Sequence, residues 1–436
     1  MAQRDGAAWS ERRHAAPGRL GEVRGAYERD RARLIHSAAF RRLQAKSQVL
    51  GAGEGDFHRT RLTHSMEAAQ IAGGVRKTLL RRQPDRAAVL PDRDLAESLG
   101  LAHDLGHPPF GHEGERALNH CLVRATGGRI GFEANGQTLR LLATLESHTP
   151  GYGLNLTRRT LLGVLKYPVP FSAVAPHDWP PFEPRPLSLR PWSPPKCYHD
   201  EETPIVDWLA QPLDAASRAY LRAFEPPPGP AERGRALAKT VDASLLDVAD
   251  DIAYGTHDLE DGVALRLIGP AEIAAAWPLA RSVWARRYRL DRALDDLFVP
   301  ERRKSAVGSL VHALVCASRL VLREASVHPL VGTRVELVPE AEAFLDVLKD
   351  VVTASVIQLP RVRAMRFRAQ QMLIALFDAL ASDPEHLLPR EFAVRLGVGE
   401  EMARVVADYV SGMTDAFATR MYARLYLPEG GTLFER

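Results

Sequence analysis

The stretch HDLGHPPFGHEGE, residues 103–115, is the most informative part of this sequence. It contains three histidines, one aspartate and two glutamates, and it follows a helical pattern that stops before Pro108 and Pro109. An imidazole and a carboxylate on adjacent residues at a helix end can both face one cation, because the terminating turn frees the second side chain from helical spacing. A mixed set of histidine and carboxylate ligands suits Mn, Fe, Co, Ni or Zn, and a looser set with retained waters suits Mg. His103 and Asp104 are therefore candidate ligands of a metal ion.

His64 is a further candidate ligand. It lies in the helical stretch RTRLTHSMEAA, in which Leu62 and Met66 belong to one apolar stripe. This spacing places the imidazole at the boundary of the predicted core. An isolated histidine in such a position is more often a buried core residue than a ligand. The residues around it leave both interpretations open.

An acidic stripe follows in SLLDVADDIAYGTHDLEDG, residues 244–262. At roughly 100° per residue, four polar side chains of this helix share one narrow stripe: Asp250, Tyr254, Asp258 and Asp261. An apolar face adjoins the stripe, which is typical of a cleft wall. A solvated helix face is the alternative, because further acidic residues lie around the same helix.

Helical periodicity dominates the rest of the chain, and sustained strand alternation is scarce. We predict an all-α fold in which residues 1–436 form one large helical domain. The predicted helices, including those that carry the candidate ligands, cover residues 61–81, 94–105, 113–124, 133–145, 157–165, 213–224, 233–266, 270–290, 301–324, 341–358, 362–380, 389–396 and 400–424.

A proline-rich segment, residues 168–195, interrupts this regularity. It contains ten prolines, which exclude a helix and predict a long, ordered or semi-ordered loop. A disordered insert is one interpretation. Apolar anchors that pure linkers lack favour partial order instead. These anchors are Trp179, Phe182, Trp192 and Tyr198.

The amino-acid composition is that of a globular protein. Hydrophobic residues make up 45% of the chain and charged residues 25%, as in ordinary globular proteins. The 57 basic and 54 acidic residues give a net charge of +3, so nucleic acid is a possible but not a favoured partner. Arginine-rich stretches at 281–292 and 361–368 offer charges that could neutralise phosphates, although a solvated helix face is the plainer interpretation.

The cysteines and the hydropathy of the sequence indicate the compartment in which the protein is expected. The three cysteines, Cys121, Cys197 and Cys316, are widely spaced and form no CxxC pair, which suits a reducing compartment. Residues 1–20 contain no apolar stretch typical of a signal peptide. The longest apolar run, 310–322, is too short to span a bilayer. The sequence predicts a cytoplasmic protein without a membrane segment.

Taken together, the motifs resemble a known family. The order His64, His103 with Asp104, and Asp250 resembles the H…HD…D signature of the HD superfamily. The chain as a whole is similar to the deoxyguanosinetriphosphate triphosphohydrolase-like family. The resembling blocks follow the family's order over nearly the whole chain: RDRARLIHSAAFRRLQAKSQV, RTRLTHSMEAAQIA, HDLGHPPFGHEGE, GFEANGQTLR, LLGVLKYP, ADDIAYGTHDLEDG and GMTDAFATRMYARLY. A bare H…HD…D pattern is weakly specific, but these blocks together are highly specific.

The resemblance implies a fold and an activity. It implies an all-helical HD metal-binding core at about residues 58–265, followed by a helical C-terminal part at 266–436. The implied reaction is hydrolysis of a deoxynucleoside triphosphate to a deoxynucleoside and inorganic triphosphate with a divalent metal ion (Mg, Mn or Co). Homo-oligomers and a deoxynucleoside triphosphate effector are implied as well. The alternatives are an HD-type phosphodiesterase or nuclease, and a non-enzymatic nucleotide sensor.

The resemblance also implies roles for individual residues. It assigns four residues to the metal: His64, His103, Asp104 and Asp250. It assigns three residues to catalysis: His112, Glu115 and Asp258. It assigns four residues to the substrate: Gln48, Arg61, Tyr254 and Asp258. We expect Arg41, Arg42 or Lys46 to help Arg61 offset phosphate charge.

One position departs from the family pattern. Some relatives have a histidine where this chain has Ala134 in GFEANGQTLR. If that histidine assists catalysis in those relatives, its role is absent here or is performed by His107 or His112.

Overall fold

The computed structural model describes residues 7–15, 20–48 and 59–428. Helices dominate the described chain, which confirms the all-α class. The helices of the first part are α1 (Ala26–His36), α2 (Ala38–Arg42), α3 (Arg61–Arg82), α4 (Arg93–Ala102), α5 (His112–Thr126), α6 (Ala134–Arg140), α7 (Arg158–Val164), α8 (Phe171–Val174), α9 (Thr203–Ala210), α10 (Ala215–Leu221), α11 (Val241–Ala253) and α12 (Leu259–Ala264).

The second part is also mainly helical. Its helices are α13 (Ala276–Ala280), α14 (Val283–Arg286), α15 (Leu290–Asp296), α16 (Pro300–Cys316), α17 (Pro329–Gly332), α18 (Pro339–Val352), α19 (Pro360–Ser382), α20 (Pro384–Leu387), α21 (Arg390–Gly397), α22 (Met402–Ser411) and α23 (Asp415–Tyr426). Three π-helical segments continue helices without a break: Leu141–Leu145, Tyr254–Asp258 and Thr353–Ile357. Within the described ranges, no helix is both long enough and apolar enough to cross a membrane.

Helices α3, α4 and α11 pack around the larger of two hydrophobic clusters. Each begins at a side chain that caps its first turn, since Thr60, Asp92 and Thr240 each accept a hydrogen bond from a backbone N–H of that turn. Helices α3 and α4 approach so closely that a Cβ atom at Gly100 would lie 2.4 Å from the Cα atom of Ala69. This close packing fixes the relative position of the two helices that carry the histidine candidates.

A second hydrophobic cluster lies between α5, α19 and α22, and the proline-rich segment contributes to it. Trp192 is 1% exposed and stacks on Trp179 with ring centroids 5.6 Å apart. Trp179 in turn stacks on Phe171 at 6.4 Å. Tryptophan burial therefore orders this segment. The expectation that it contains no helix was wrong for the short helix α8.

The chain also forms a β-hairpin where a helix was predicted. Strand β3 (Ser318–Leu322) pairs antiparallel with strand β4 (Thr333–Leu337), whereas the helical pattern was expected to continue to residue 324. Side chains of β4 alternate between buried and half-buried. A smaller hairpin pairs β1 (Phe224–Glu225) with β2 (Arg235–Ala236), so the predicted helix at 233–266 begins later than expected.

Candidate metal centre and active site

Three side chains from separate helices converge on one point. His64 lies in α3, His103 follows the last residue of α4, and Asp250 lies in the last turn of α11. Nε2 of His64 is 3.1 Å from Oδ1 of Asp250, and Nε2 of His103 is 3.4 Å from the same oxygen. One ligand atom of each residue lies within 4.8 Å of the other two. The helix packing thus gathers two imidazoles and one carboxylate from distant parts of the sequence.

The donor set fits a divalent metal ion. Nδ1 of His103 donates a hydrogen bond to the carbonyl oxygen of Gly100 at 2.7 Å, which leaves Nε2 as the free lone-pair donor. That Nε2 atom is buried and has no hydrogen-bond partner. Oδ2 of Asp250 accepts a hydrogen bond from Nζ of Lys166 at 2.9 Å. Burial alone would raise the pKa of Asp250, but the ammonium group of Lys166 holds it well below its usual range. The carboxylate is therefore ionised, as a ligand must be.

Asp104 lies beside these three residues. Its Oδ1 atom is 3.5 Å from Nε2 of His103 and 3.0 Å from Nδ1 of His107. Its Oδ2 atom accepts a hydrogen bond from Nη1 of Arg61 at 2.6 Å. Burial opposes ionisation, yet Arg61 and His107 hold the pKa of Asp104 well below its usual range. Its role as a fourth ligand stays a prediction.

Arg61 is buried at the start of α3, and the backbone at Gly111 makes room for it. Gly111 has φ 59° and ψ −130°, a combination that L-residues rarely adopt. A Cβ atom there would lie 2.6 Å from Nη2 of Arg61. The preceding residue, Phe110, also has a positive φ of 62°, and its N–H donates to Asp415 at 3.0 Å. Strain in this turn is therefore concentrated beside the arginine that holds Asp104.

Replacing Gly111 by alanine is expected to destabilise the protein by about 1–3 kcal/mol and to lower activity, because the new methyl group displaces Arg61. Chemical denaturation and steady-state kinetics measure the two effects. Gly308→Ala is the matched control, since Gly308 lies within α16 and has open space around the added Cβ atom. The control is expected to leave stability unchanged or raise it by up to about 1 kcal/mol. Equal stability of both variants would contradict the steric role of Gly111.

His112 and Glu115 form a pair at the start of α5. Nδ1 of His112 lies 3.0 Å from Oε2 of Glu115. The His112 side chain is 63% exposed, whereas that of Glu115 is 4% exposed. The imidazole of His112 also contacts that of His107, with ring centroids 5.2 Å apart. Because His107 contacts Asp104, which lies beside His103, direct contacts link the pair to the candidate metal-binding group.

Glu115 is held by groups from outside α5. Its Oε1 atom accepts a hydrogen bond from the backbone N–H of Ala134 at 3.0 Å and lies 3.3 Å from Nζ of Lys196. Although burial favours the neutral acid, Lys196 and His112 hold the pKa of Glu115 well below its usual range. Glu115 is therefore a carboxylate whose second oxygen orients the His112 ring.

A cavity of about 520 Å³ opens beside α3 and the π-helical segment Tyr254–Asp258. Asp258, Gln48 and Arg59 contribute to its lining. Asp258 is buried, and neither of its carboxyl oxygens has a hydrogen-bond partner. Burial raises the pKa of Asp258 to about 7. The hydroxyl group of Tyr254 lies 3.3 Å from Oγ1 of Thr353.

Gln48 connects this cavity with a smaller one of about 90 Å³ that is lined by His112 and Arg366, among others. The structure thus brings the predicted substrate residues Gln48 and Asp258 to the larger cavity, and Gln48 and His112 to the smaller one. The residues 49–58 that follow Gln48 lie outside the described part of the chain.

Comparison with known proteins agrees with this geometry. The HD domain profile matches residues 61–147, and the profile of the phosphohydrolase-associated domain matches residues 335–424. A deoxyguanosinetriphosphate triphosphohydrolase-like protein of a Shewanella species is 43% identical over 98% of both chains. Proteins of the same description from Shewanella sediminis and Shewanella oneidensis are 41% and 42% identical, over 98% of both chains and over 96% and 97% respectively. The chain belongs to the deoxyguanosinetriphosphate triphosphohydrolase-like family. The resemblance stated from the motifs is confirmed.

In this HD-domain phosphohydrolase, Lys46 lies beside Arg61, because its carbonyl oxygen accepts a hydrogen bond from the backbone N–H of Arg61 at 3.2 Å. Nζ of Lys46 donates to the carbonyl oxygens of His107 and Ser411, at 2.5 and 2.9 Å. Burial lowers the pKa of Lys46 to about 7. Arg41 and Arg42 are exposed and line a separate surface hollow with Thr414. Lys46 therefore connects two backbone segments.

Sequence reasoning assigned no role to the two lysines that contact the site. Lys166 lies in the block LLGVLKYP, and Lys196 directly follows the proline-rich segment. Neither position shows a helical or motif spacing to the acidic residues that it contacts. The only available signal was the presence of Lys166 within a family block.

Proposed function

We propose that this HD-domain phosphohydrolase hydrolyses deoxynucleoside triphosphates to a deoxynucleoside and inorganic triphosphate, with a divalent metal ion. The observation that carries the proposal is the convergence of His64, His103 and Asp250 next to the contact chain from Asp104 to His112. Metal ligands beside a paired histidine and carboxylate are what hydrolysis at phosphorus with a poor leaving group requires.

The residues divide into those that hold a cation and those that move a proton. His64, His103 and Asp250 would hold the cation, with Asp104 as the proposed fourth ligand. When bound, the cation supplies Lewis acidity toward a phosphoryl oxygen and toward water.

The proton donor is His112. Glu115 fixes the His112 ring through Nδ1, so that Nε2 is available to protonate the 5′ oxygen as the bond to phosphorus breaks. An alkoxide is a poor leaving group, so this proton transfer contributes directly to the rate.

The proposed substrate contacts come from Arg61 and from residues at the larger cavity. Arg61 lies one helical turn before His64 and supplies positive charge next to the ligands. Gln48 and Asp258 line the larger cavity, where they would contact the nucleotide. Tyr254, in the same π-helical segment as Asp258, completes the proposed set of substrate contacts.

The decisive experiment incubates the purified protein with all four deoxynucleoside triphosphates in Mg, Mn or Co, singly and in pairs. Chromatography then identifies the products. Release of inorganic triphosphate supports the proposal, because a phosphodiesterase or nuclease does not produce it. Nucleotide binding without turnover in any metal, or release of pyrophosphate with a monophosphate, would refute it.

The proposal extends to assembly and regulation. The family resemblance implies homo-oligomers whose activity responds to a second deoxynucleoside triphosphate. Light scattering with and without each nucleotide measures the assembly, and the paired incubations above measure the response. Turnover of single nucleotides at the rate of the pairs would show that no effector is required.

Replacing His112 by alanine is expected to lower kcat by roughly 10²–10⁴-fold, the usual contribution of a general acid. Bound metal should remain, because His112 lies outside the group of ligands. Triphosphate release and metal content measure the two properties. His386→Ala is the control, because it removes an exposed imidazole that also pairs with a carboxylate three residues away. Equal activity of the His112 variant and the control would exclude His112 as the proton donor.

A further inference from the structure

Lys196 directly follows the proline-rich segment and contacts two buried carboxylates. Its Nζ atom is 2.7 Å from Oε1 of Glu133 and 3.3 Å from Oε1 of Glu115. Glu133 is fully buried, and Glu115 is nearly so. Among the described residues, these are the two ion pairs formed by Lys196. Lys196 therefore bridges Glu115, which orients His112, and Glu133.

The backbone on both sides of Lys196 is fixed. Trp192, four residues earlier, is 1% exposed, and Cys197 directly after it is fully buried. The next residue, Tyr198, donates from its N–H to the carbonyl oxygen of Val169 at 2.9 Å. The burial of Trp192 and Cys197 thus fixes the backbone position from which the Lys196 side chain extends.

Glu133 is itself held in place. Its Oε2 atom accepts a hydrogen bond from the N–H of Gly136 at 2.8 Å, which caps α6. Its Oε1 atom accepts a hydrogen bond from Nδ2 of Asn135 at 2.7 Å and one from Lys196. Glu133 therefore fixes the ammonium group against the Glu115 carboxylate.

Two carboxylates that share one ammonium group repel each other, and burial together with the charge of Glu115 raises the pKa of Glu133. Although burial opposes it, Glu115 and Glu133 raise the pKa of Lys196, so the cation is present. Ala134 offers Glu115 only its backbone N–H. The charge that keeps Glu115 ionised therefore comes from Lys196 and from His112 itself.

We propose that Lys196 is a positioning residue that acts through Glu115, keeping its carboxylate oriented toward Nδ1 of His112 so that Nε2 presents its proton to the leaving oxygen. This inference rests on the proposed function. In the reaction, a water oxygen forms a bond to phosphorus and the electron pair of the broken bond goes to the 5′ oxygen. That oxygen takes the proton from His112, and a proton from the attacking water restores His112 through solvent.

Lys196→Met is expected to lower kcat about 10²-fold with KM changed by less than about threefold, since the loss falls on proton transfer. Lys196→Arg keeps the cation and is expected to recover most of the activity. Lys77→Met, an exposed lysine of α3, is the matched control and should behave like the unaltered protein. A rise in KM with unchanged kcat would overturn the proposal, because it would make Lys196 a substrate contact.

A double-mutant cycle separates this role from a merely structural one. In a Glu115→Gln background, Lys196→Met is expected to cost less than about threefold, because the carboxylate on which it acts is already gone. Multiplicative losses would overturn the proposal. Unfolding midpoints of all variants exclude loss of folded protein as the cause.

A change of leaving group provides the second readout. With 4-nitrophenyl triphosphate, whose nitrophenolate leaves without a proton, Lys196→Met is expected to lose little activity relative to the unaltered protein. An equal loss on both substrates would overturn the positioning role. If the unaltered protein released no triphosphate from any deoxynucleoside triphosphate, the proposed function would fail by itself. If triphosphate is released and Lys196→Met keeps full activity on the deoxynucleoside triphosphate, the positioning role fails and the proposed function stands.

Discussion

A double variant with alanine at His103 and Asp104 is expected to lose its bound divalent metal and at least about 10³-fold in turnover, because a metal ion supplies several kcal/mol of charge stabilisation to phosphoryl transfer. His103 contributes the Nε2 atom that faces Asp250 at 3.4 Å. Asp104 contributes the carboxylate that orders Arg61. The double variant therefore removes a proposed ligand and the partner of the buried Arg61 guanidinium.

Metal analysis of the purified variant and chromatographic detection of triphosphate measure the two losses. The matched control is the double variant with alanine at Asp383 and His386, which removes an exposed imidazole and carboxylate pair with atoms 2.7 Å apart. We expect the control to retain metal and activity. Undiminished turnover of the His103 and Asp104 variant would show that the metal site lies elsewhere.

The double variant at His103 and Asp104 is also expected to be less stable than the unaltered protein. Removing Asp104 leaves the buried guanidinium of Arg61 without its partner, and an unpaired buried charge costs about 3–5 kcal/mol. Thermal unfolding of the metal-free forms reports this cost without interference from metal binding. Activity is therefore compared at a temperature where both variants are folded.

Helical periodicity placed three of the candidate ligands at the edges of apolar helix faces, without deciding that they bind a metal. His64 and Asp250 lie on long helices whose apolar faces were visible in the sequence, and His103 ends a third. Once those faces pack into one core, the polar residues at their edges are brought together. The assignment of these side chains to a metal came from the family resemblance, since the helix faces alone left other interpretations open.

The contacts of Asp104 and Glu115 could not be predicted from helical periodicity. The orientation of Asp104 depends on Arg61, and the environment of Glu115 depends on Lys196. Both partners are distant in sequence, and Lys196 reaches the site through a proline-rich path that follows no periodic pattern. Contacts of this kind are determined by tertiary packing, which local propensity does not encode.

The missed hairpin has a different origin. Residues 318–322 continue the apolar character of α16, so a window of helical length includes them. The alternation of β4, with Thr333, Val335 and Leu337 buried, is visible only over five residues. Short strands of this length are easily assigned to a neighbouring helix.

Replacing Asp258 by asparagine is expected to stabilise the metal-free protein at neutral and alkaline pH. Burial raises the pKa of this carboxyl group from an ordinary value of 3.8 to about 7, and neither of its oxygens has a hydrogen-bond partner. A carboxyl group with a raised pKa in the folded state supports folding fully below the pKa of the unfolded chain. That support is lost as the pH rises to about 7, because the unfolded chain releases the proton first.

The gain in stability of Asp258→Asn should therefore grow with pH, from about 1–2 kcal/mol at pH 5 to about 4 kcal/mol at pH 8, since one pKa unit corresponds to about 1.36 kcal/mol. Chemical denaturation after removal of metal measures the difference at each pH. Asp207→Asn, at an exposed position, is the control and should stay within about 0.5 kcal/mol of the unaltered protein. A gain that is constant from pH 5 to 8 would show that Asp258 is ionised in the folded protein. If the stability gain of Asp258→Asn grows with pH and the variant also loses turnover, the buried carboxyl group of Asp258 serves function at a cost in stability.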